Sequence, residues 1–351
     1  MTRSQRKLDH IKLSMETGRH SQNGLEDITF VHQSLPGTKL KDINLNTKIG
    51  GLSLSSPIFI NAMTGGGGEK TLEINRNLAI AARETDLAMA VGSQMAAIRD
   101  WQEEKTFKVV REENPKGIIF ANLGSELSPE QACKAVAMIE ADALQIHLNV
   151  IQELAMPEGD RDFSGSVQRI AEAVKAVDVP VIVKETGFGM GLETVNALLE
   201  TGIAAVDIGG FGGTNFASIE NFRRNRPLPF LEEWGIPTAA SIAEANHAAG
   251  NKVTVMASGG IHNSLDIAKS IALGAGAAGL AGQCLRILLD RGTEALIEEL
   301  EILKTELAVI MTALGAANIK DLHKTPLIIS GRTHHWLNQR GIDTKQFSTR
   351  L

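Results

Sequence analysis

From Gly50-Gly51 onward the chain repeats one pattern: a short apolar run ending in small or polar residues, then a segment with helical spacing. The runs are PIFINAM (57–63), LAMAVGS (87–93), GIIFANLG (117–124), ALQIHLN (143–149), VPVIVKET (179–186), AAVDIGG (204–210), VTVMASGG (253–260) and AGLAG (278–282). Strands buried on both faces read as continuous apolar runs rather than alternating ones. Between them lie EKTLEINRNLAIAARET, SPEQACKAVAMIEA, VQRIAEAVKAV, SIAEANHAAG and SLDIAKSIALG, which have the spacing of crossover helices. Eight such units predict an α/β fold, a (β/α)8 TIM barrel, with a doubly wound open sheet as the structural alternative.

The flanks read differently. Residues 1–50 are polar and irregular, with SQRKLDHIKLSM readable as a short amphipathic helix, and form an N-terminal extension to a barrel spanning 51–351. EALIEELEILKTELAVIMTALG places Leu296, Leu300, Leu303, Leu307, Ile310 and Leu314 on one stripe, to pack on the barrel or on another subunit. The polar tail HHWLNQRG is expected to loop over the surface, so the chain reads as one domain with extensions.

Composition changes little. The 351 residues are 43% hydrophobic and 22% charged, as in a soluble protein with a sizeable core. A net charge of −6 with mixed signs argues against a general nucleic-acid binder. Cys133 and Cys284 make neither a disulfide framework nor a metal-ligand spacing. The charged N-terminus lacks a signal-peptide core and no apolar stretch is long enough to span a bilayer, so a cytoplasmic location is expected.

In a barrel, functional groups sit where strands end. Those positions hold Asn61-Ala62-Met63-Thr64, Ser93-Gln94, Asn122, His147, Asn149, Gln152, Glu153, Lys184-Glu185-Thr186, Gly212-Gly213-Thr214, Ser258-Gly259-Gly260 and Gly279-Leu280-Ala281-Gly282. A barrel built only for stability would not need so many polar ends. The glycines after strands seven and eight, with Asn263 able to cap the next helix, suit a phosphate; tight turns are the plainer explanation. Lys184 could form a Schiff base, stabilise an anionic ring, or simply reach from the core edge to solvent. Glu153 among neutral amides suits Mg²⁺ rather than zinc, against a loop held by its own hydrogen bonds. Glu220, after the glycine-rich loop that ends in Thr214, could equally be a solvated helix residue. Arg6 and Lys7 could clasp a diphosphate, although a basic N-terminus is more often a solvated tail.

Taken in order, RKLDHI, INAMTGGG, AVGSQ, ANLG, QIHLNVIQE, PEGDRDFSG, VIVKETGFGM, GGFGGTNFASIE, GIPTAASI and ASGGI resemble type 2, FMN-dependent isopentenyl-diphosphate isomerase over nearly the whole chain. They look especially similar to the enzymes of Bacillus-like bacteria. The resemblance implies interconversion of isopentenyl and dimethylallyl diphosphates in isoprenoid biosynthesis, with Mg²⁺ and FMN reduced by NADPH, in a homo-oligomer (tetramer or octamer). It implies FMN contacts at Ala62, Met63, Thr64, Ser93, Asn122, Lys184 and Thr214, and phosphate contacts at Gly259, Gly260, Gly279, Leu280 and Ala281. Arg6, Lys7, His10, His147, Asn149 and Ser166 would hold the substrate diphosphate. Glu153 would hold Mg²⁺, and Gln152 would face the isoprene end. Reduced FMN would supply or shuttle the proton, Lys184 would favour the anionic flavin, and Gln152 and Glu220 would complete the relay. Many relatives carry arginines where this chain has Met95 and His262; Arg99 is the candidate replacement for the first, and backbone N–H groups for the second.

Four rivals share parts of this pattern. A 2-hydroxy-acid oxidase uses a His base beside an Arg near strand seven, where this chain reads ASGGIHNSLD. An inosine-monophosphate-dehydrogenase-like enzyme needs a nucleophilic cysteine in a mobile loop. A Schiff-base aldolase would use Lys184 without flavin, and a non-catalytic flavin or phosphate binder would not need Gln152, Glu153 and Glu220 together.

Overall fold

The computed structural model describes residues 23–63 and 66–350. Eight parallel strands close into a barrel: β1 (Ile58–Ile60), β2 (Ala88–Ala90), β3 (Ile119–Gly124), β4 (Ala143–Leu148), β5 (Val181–Glu185), β6 (Ala205–Asp207), β7 (Thr254–Ser258) and β8 (Ala277–Leu280). Each falls inside one of the eight apolar runs, and β8 pairs with β1 to complete the ring. Closure excludes the doubly wound alternative.

Side chains of a strand alternate faces, so each step of two residues climbs one layer inside the barrel. The lower interior is apolar: Phe59, Ala88, Ala90, Phe120, Ala143, Ile182, Ala205, Met256 and Ala277 form one buried cluster. One step higher, the same strands present Asn61, Asn122, Gln145, Lys184, Asp207, Ser258 and Gly279. A second step on β4 reaches His147. The change from packing to chemistry therefore occurs within a single pleat.

The lower end is filled by an antiparallel hairpin, Thr47–Ile49 with Leu52–Leu54. Both turn residues, Gly50 and Gly51, have positive φ (53° and 92°), the combination that tight hairpins favour. The hairpin inserts Ile49 and Leu54 beneath Phe59 and Phe120. Ile28–Phe30 pairs antiparallel with Leu327–Ile329, joining the two ends of the described chain.

Outside the barrel the expected helices form. Pro129–Met138 starts with a capping box between Ser128 and Gln131, and Asn263 caps Ser264–Ala272 as anticipated. The helix Thr293–Leu314 packs on the barrel helices Glu69–Glu84, Ser264–Ala272 and Gly282–Arg291. It buries Leu296, Leu300, Leu303, Leu307 and Met311, whereas Ile310 and Leu314 are only partly covered.

The tail departs from expectation. Instead of looping, it forms the helix Gly331–Gln339, with Leu337 fully buried. The Trp336 indole donates to Glu244 (2.7 Å), and Arg340 bridges Glu244 and Glu193. A buried carboxylate some ninety residues earlier thus organises a segment that looks merely polar. No helix among the described residues is long and apolar enough to cross a membrane.

Candidate active site

At the strand ends a cavity of about 550 Å³ opens, within the usual range for a small-molecule or cofactor site. Its lining includes Ala62, Met63, Ser93, Asn122, His147, Asn149, Gln152, Glu153, Lys184, Thr214, Gly259, Gly260, Gly279 and Ala281. Fourteen residues inferred from sequence are thus brought together by all eight strand ends. Leu280 is buried in the hydrophobic core, and Ser166 begins the helix Ser166–Ala176 with its hydroxyl donating to the Phe163 carbonyl (3.0 Å). Neither lines the cavity. Arg6, Lys7, His10 and Thr64 lie outside the described residues. Asn23, however, donates to the Gly260 carbonyl (2.6 Å), which attaches the N-terminal stretch at the barrel mouth.

One wall is a phosphate-type cradle. Gly259 and Gly260 have φ of 105° and 70°, and a Cβ on either would come within about 2 Å of the carbonyls of Gly210 and Gly212. Only glycine lets the β7 turn press its backbone against the loop after β6. The helices Ser264–Ala272 and Gly282–Arg291 begin beside this wall, so their free N–H groups favour an anion. Arg286, which the sequence reading did not single out, also lines it, and its Nε is buried with no hydrogen-bond partner among the described residues. This donor set fits the phosphate of FMN, and the flat Ala62–Met63 rim fits its ring. His262 faces the same end. Burial holds its imidazole below the usual range despite Asp266, and Arg286 adds to the effect. Arg99 is exposed and outside the cavity, so the cation at this site is Arg286 rather than the expected replacement.

The opposite wall carries the opening segment of helix Val150–Ala155, where Gln152 and Glu153 are adjacent. Glu153 accepts from the Asn149 amide (2.8 Å) and from the Asp160 N–H (2.8 Å). Arg161 folds the following loop back by donating to the carbonyls of Glu153, Met156, Gly159 and Asp160. Arg161 thereby fixes the carboxylate without entering the cavity. No group of three or more His, Cys, Asp or Glu poised for a metal occurs among the described residues. One carboxylate beside neutral amides still fits Mg²⁺, which keeps most of its waters and takes substrate phosphate oxygens.

Glu220, in the helix Phe216–Asn221, is fully buried behind Gln152 rather than in the cavity wall. Gln152 Nε2 lies 3.4 Å from Glu220 Oε1, and Arg223 bonds Glu220 and also Glu158 (2.5 Å). The even odds given to a solvated Glu220 are thus settled against solvent.

Lys184 reaches up beside His147, its register partner on β4, and donates to the Glu185 carbonyl (2.5 Å). Glu185 points away from the cavity. Burial pushes its carboxyl up to about 8, opposed by the Phe188 and Gly189 N–H groups and by Lys184. Cys133 is exposed on a helix, and burial drives the Cys284 thiol up to about 12, so neither suits a nucleophile. Asn263 after His262 is a helix cap, so the His–Arg pair of a hydroxy-acid oxidase is absent from this position.

Comparison with known proteins adds the following. Residues 99–329 match the FMN-dependent dehydrogenase family. An isopentenyl-diphosphate delta-isomerase of Bacillus pumilus is 57% identical over 100% of this chain and 98% of its own length. The proteins of the same name from Bacillus licheniformis and Bacillus cereus are 56% and 59% identical, over 100% of both chains in each case. Among solved structures, a flavocytochrome b2 variant aligns with a TM-score of 0.71 at 18% identity, covering 95% of this chain and 85% of its own. A mandelate oxidase variant aligns at 0.66 and 17%, covering 90% and 92%. At such identities the structural likeness establishes the barrel alone.

Proposed function

This chain belongs to the type 2, FMN-dependent isopentenyl-diphosphate delta-isomerases, and on that premise we propose how its cavity moves a double bond without net redox change. The observation that carries the proposal is the pairing of Gln152 and Glu153 on one helical turn. Gln152 is backed by buried Glu220, and Glu153 is clamped by Asn149 and Asp160.

The substrate offers few handles besides its diphosphate, so binding that end must orient the hydrocarbon. His147 and Asn149 face it from β4 and the turn beyond. Arg6, Lys7 and His10 join them from a stretch tethered at the mouth through Asn23. Glu153 would hold Mg²⁺, which neutralises diphosphate charge when bound. Gly259, Gly260, Gly279, Ala281 and Arg286 would hold the FMN phosphate; Ala62, Met63, Thr64, Ser93, Asn122 and Thr214 would contact the rest. Reduced FMN, when bound, supplies an electron-rich face against which developing positive charge is stabilised. Lys184 favours an anionic ring beside it.

Isomerisation needs a proton delivered to one carbon and removed from another. An alkene is a very weak base, so the donor must be positioned in a site that excludes water. Gln152 sits at the cavity wall, and Glu220 behind it can hold a proton out of reach of solvent, with Arg223 controlling its charge. The reading includes NADPH as reductant and a homo-oligomeric, cytoplasmic enzyme.

Glu153→Gln tests the metal assignment. Anaerobic assay of isopentenyl diphosphate with Mg²⁺ and reductant should give a loss of at least ~100-fold, with FMN binding nearly intact by absorption. Unchanged turnover would sink the Mg²⁺ role. Stoichiometric flavin reduction by a hydroxy acid would instead favour the oxidase chemistry.

A further inference from the structure

Beneath the cavity floor a line of side chains crosses the barrel. Asp207 on β6 is fully buried and accepts from the Ser258 hydroxyl (2.5 Å) and the Gly209 N–H (3.3 Å) through one oxygen. Its other oxygen accepts from Asn61 Nδ2 (2.7 Å). Asn61 Oδ1 accepts from the Ala62 N–H (2.8 Å) and from Gln145 Nε2 (3.2 Å). Gln145 Oε1 accepts from Asn122 Nδ2 (2.8 Å), and Asn122 Oδ1 lies 2.9 Å from His147 Nδ1. Asn61, Gln145 and Asn122 are all buried.

Amide groups can turn end for end, but here the two ends of Asn61 are pinned by groups that cannot. A carboxylate only accepts, and a backbone N–H only donates. Asn61 must therefore present its oxygen to Gln145. Gln145 must donate to it and keep its own oxygen for Asn122. Asn122 must then offer its oxygen to His147, and an oxygen there requires a proton on Nδ1. The donor and acceptor order set at Asp207 runs through three amides, on strands β1, β4 and β3, to one ring nitrogen.

We propose that Asp207, Asn61 and Gln145 are positioning residues of the substrate site, which fix His147 as its Nδ1–H tautomer and turn Nε2 toward the cavity. This rests on the reading of His147 as a diphosphate contact. The fixed tautomer places a defined atom, at a defined angle, where the phosphate oxygen is received. An imidazole free to choose would divide its population between two orientations. The charged groups around the same end of the cavity are Glu126, Glu153, Lys184, Glu69 and Lys70, and none of them is bonded to Nδ1.

The test uses FMN-loaded protein labelled with ¹⁵N-histidine and studied by solid-state NMR at about pH 8.5, where an ordinary imidazole is neutral. His147→Gln assigns the resonance. The expected result is a protonated Nδ1 and bare Nε2 in the unaltered protein. In Gln145→Leu the expected result is a mixed or reversed tautomer, with KM for isopentenyl diphosphate raised at least tenfold. A bare Nδ1 in the unaltered protein overturns the proposal, and needs no variant to fold. An unchanged Nδ1–H signal in folded Gln145→Leu overturns it as well. A tautomer that switches while KM stays within twofold leaves the relay standing and removes His147 from diphosphate binding.

Discussion

Glu220 and Glu244 are both fully buried glutamates, yet they sit in opposite kinds of surroundings. Glu244 lies on the flank of the barrel and accepts from the Leu192 N–H, the Trp336 indole and two nitrogens of Arg340. Its donors come from three separate stretches of chain, and together they hold the terminal helix down. Glu220 gathers its partners at the mouth: Arg223 on its own turn and Gln152 across the gap. Burial is equal, so burial does not mark function. What differs is whether the partners join pieces of scaffold or lead toward the cavity.

Substitution should separate the two. Glu220→Gln should lower kcat by ~10²–10⁴-fold, the usual weight of a proton-handling group, while unfolding shifts little because Gln152 and Arg223 remain. Steady-state kinetics beside thermal denaturation checks this, and a fall in stability without a fall in kcat would reverse the comparison. Glu244→Ala should do the opposite. It leaves Arg340 and Trp336 without their acceptor and should cost ~3–5 kcal/mol in denaturant unfolding, with turnover per folded molecule unchanged.

Glu185 sharpens the contrast as a third case, a carboxyl answered mainly by backbone N–H groups. Its folded pKa of about 8 lies above the ordinary 4.5, so the folded state keeps a proton that the unfolded chain releases. Its contribution is complete below about pH 4.5 and is lost as pH rises through about 8. Thermal melts across that window should show the decline. Glu185→Gln should flatten it by on the order of 3 kcal/mol, and a slope unaltered in the variant would mean that the proton sits elsewhere.

The barrel and most of its site could be read from the sequence because parallel strands covered on both faces leave unbroken apolar runs, and catalytic groups follow those runs directly. The inner relay could not be. Gln145 sits inside ALQIHLN and Asp207 inside AAVDIGG, where a polar residue in an apolar run looks like an interruption. Their meaning appears only when strands distant in sequence become neighbours. Arg286 was hidden similarly, on a helix face whose aim toward the glycine cradle depends on the angle at which the helix leaves β8. The tail misled for the same reason: its order comes from Glu244, a partner that spacing along the chain does not reveal.

The hairpin beneath the barrel has a kinetic consequence. With Ile49 and Leu54 stoppering the lower end, the interior has a single doorway. Whatever lies deepest must arrive first and depart last. A flavin seated against the glycine cradle, with substrate above it, would stay in place through many turnovers, while the small diphosphate comes and goes like the top card of a deck.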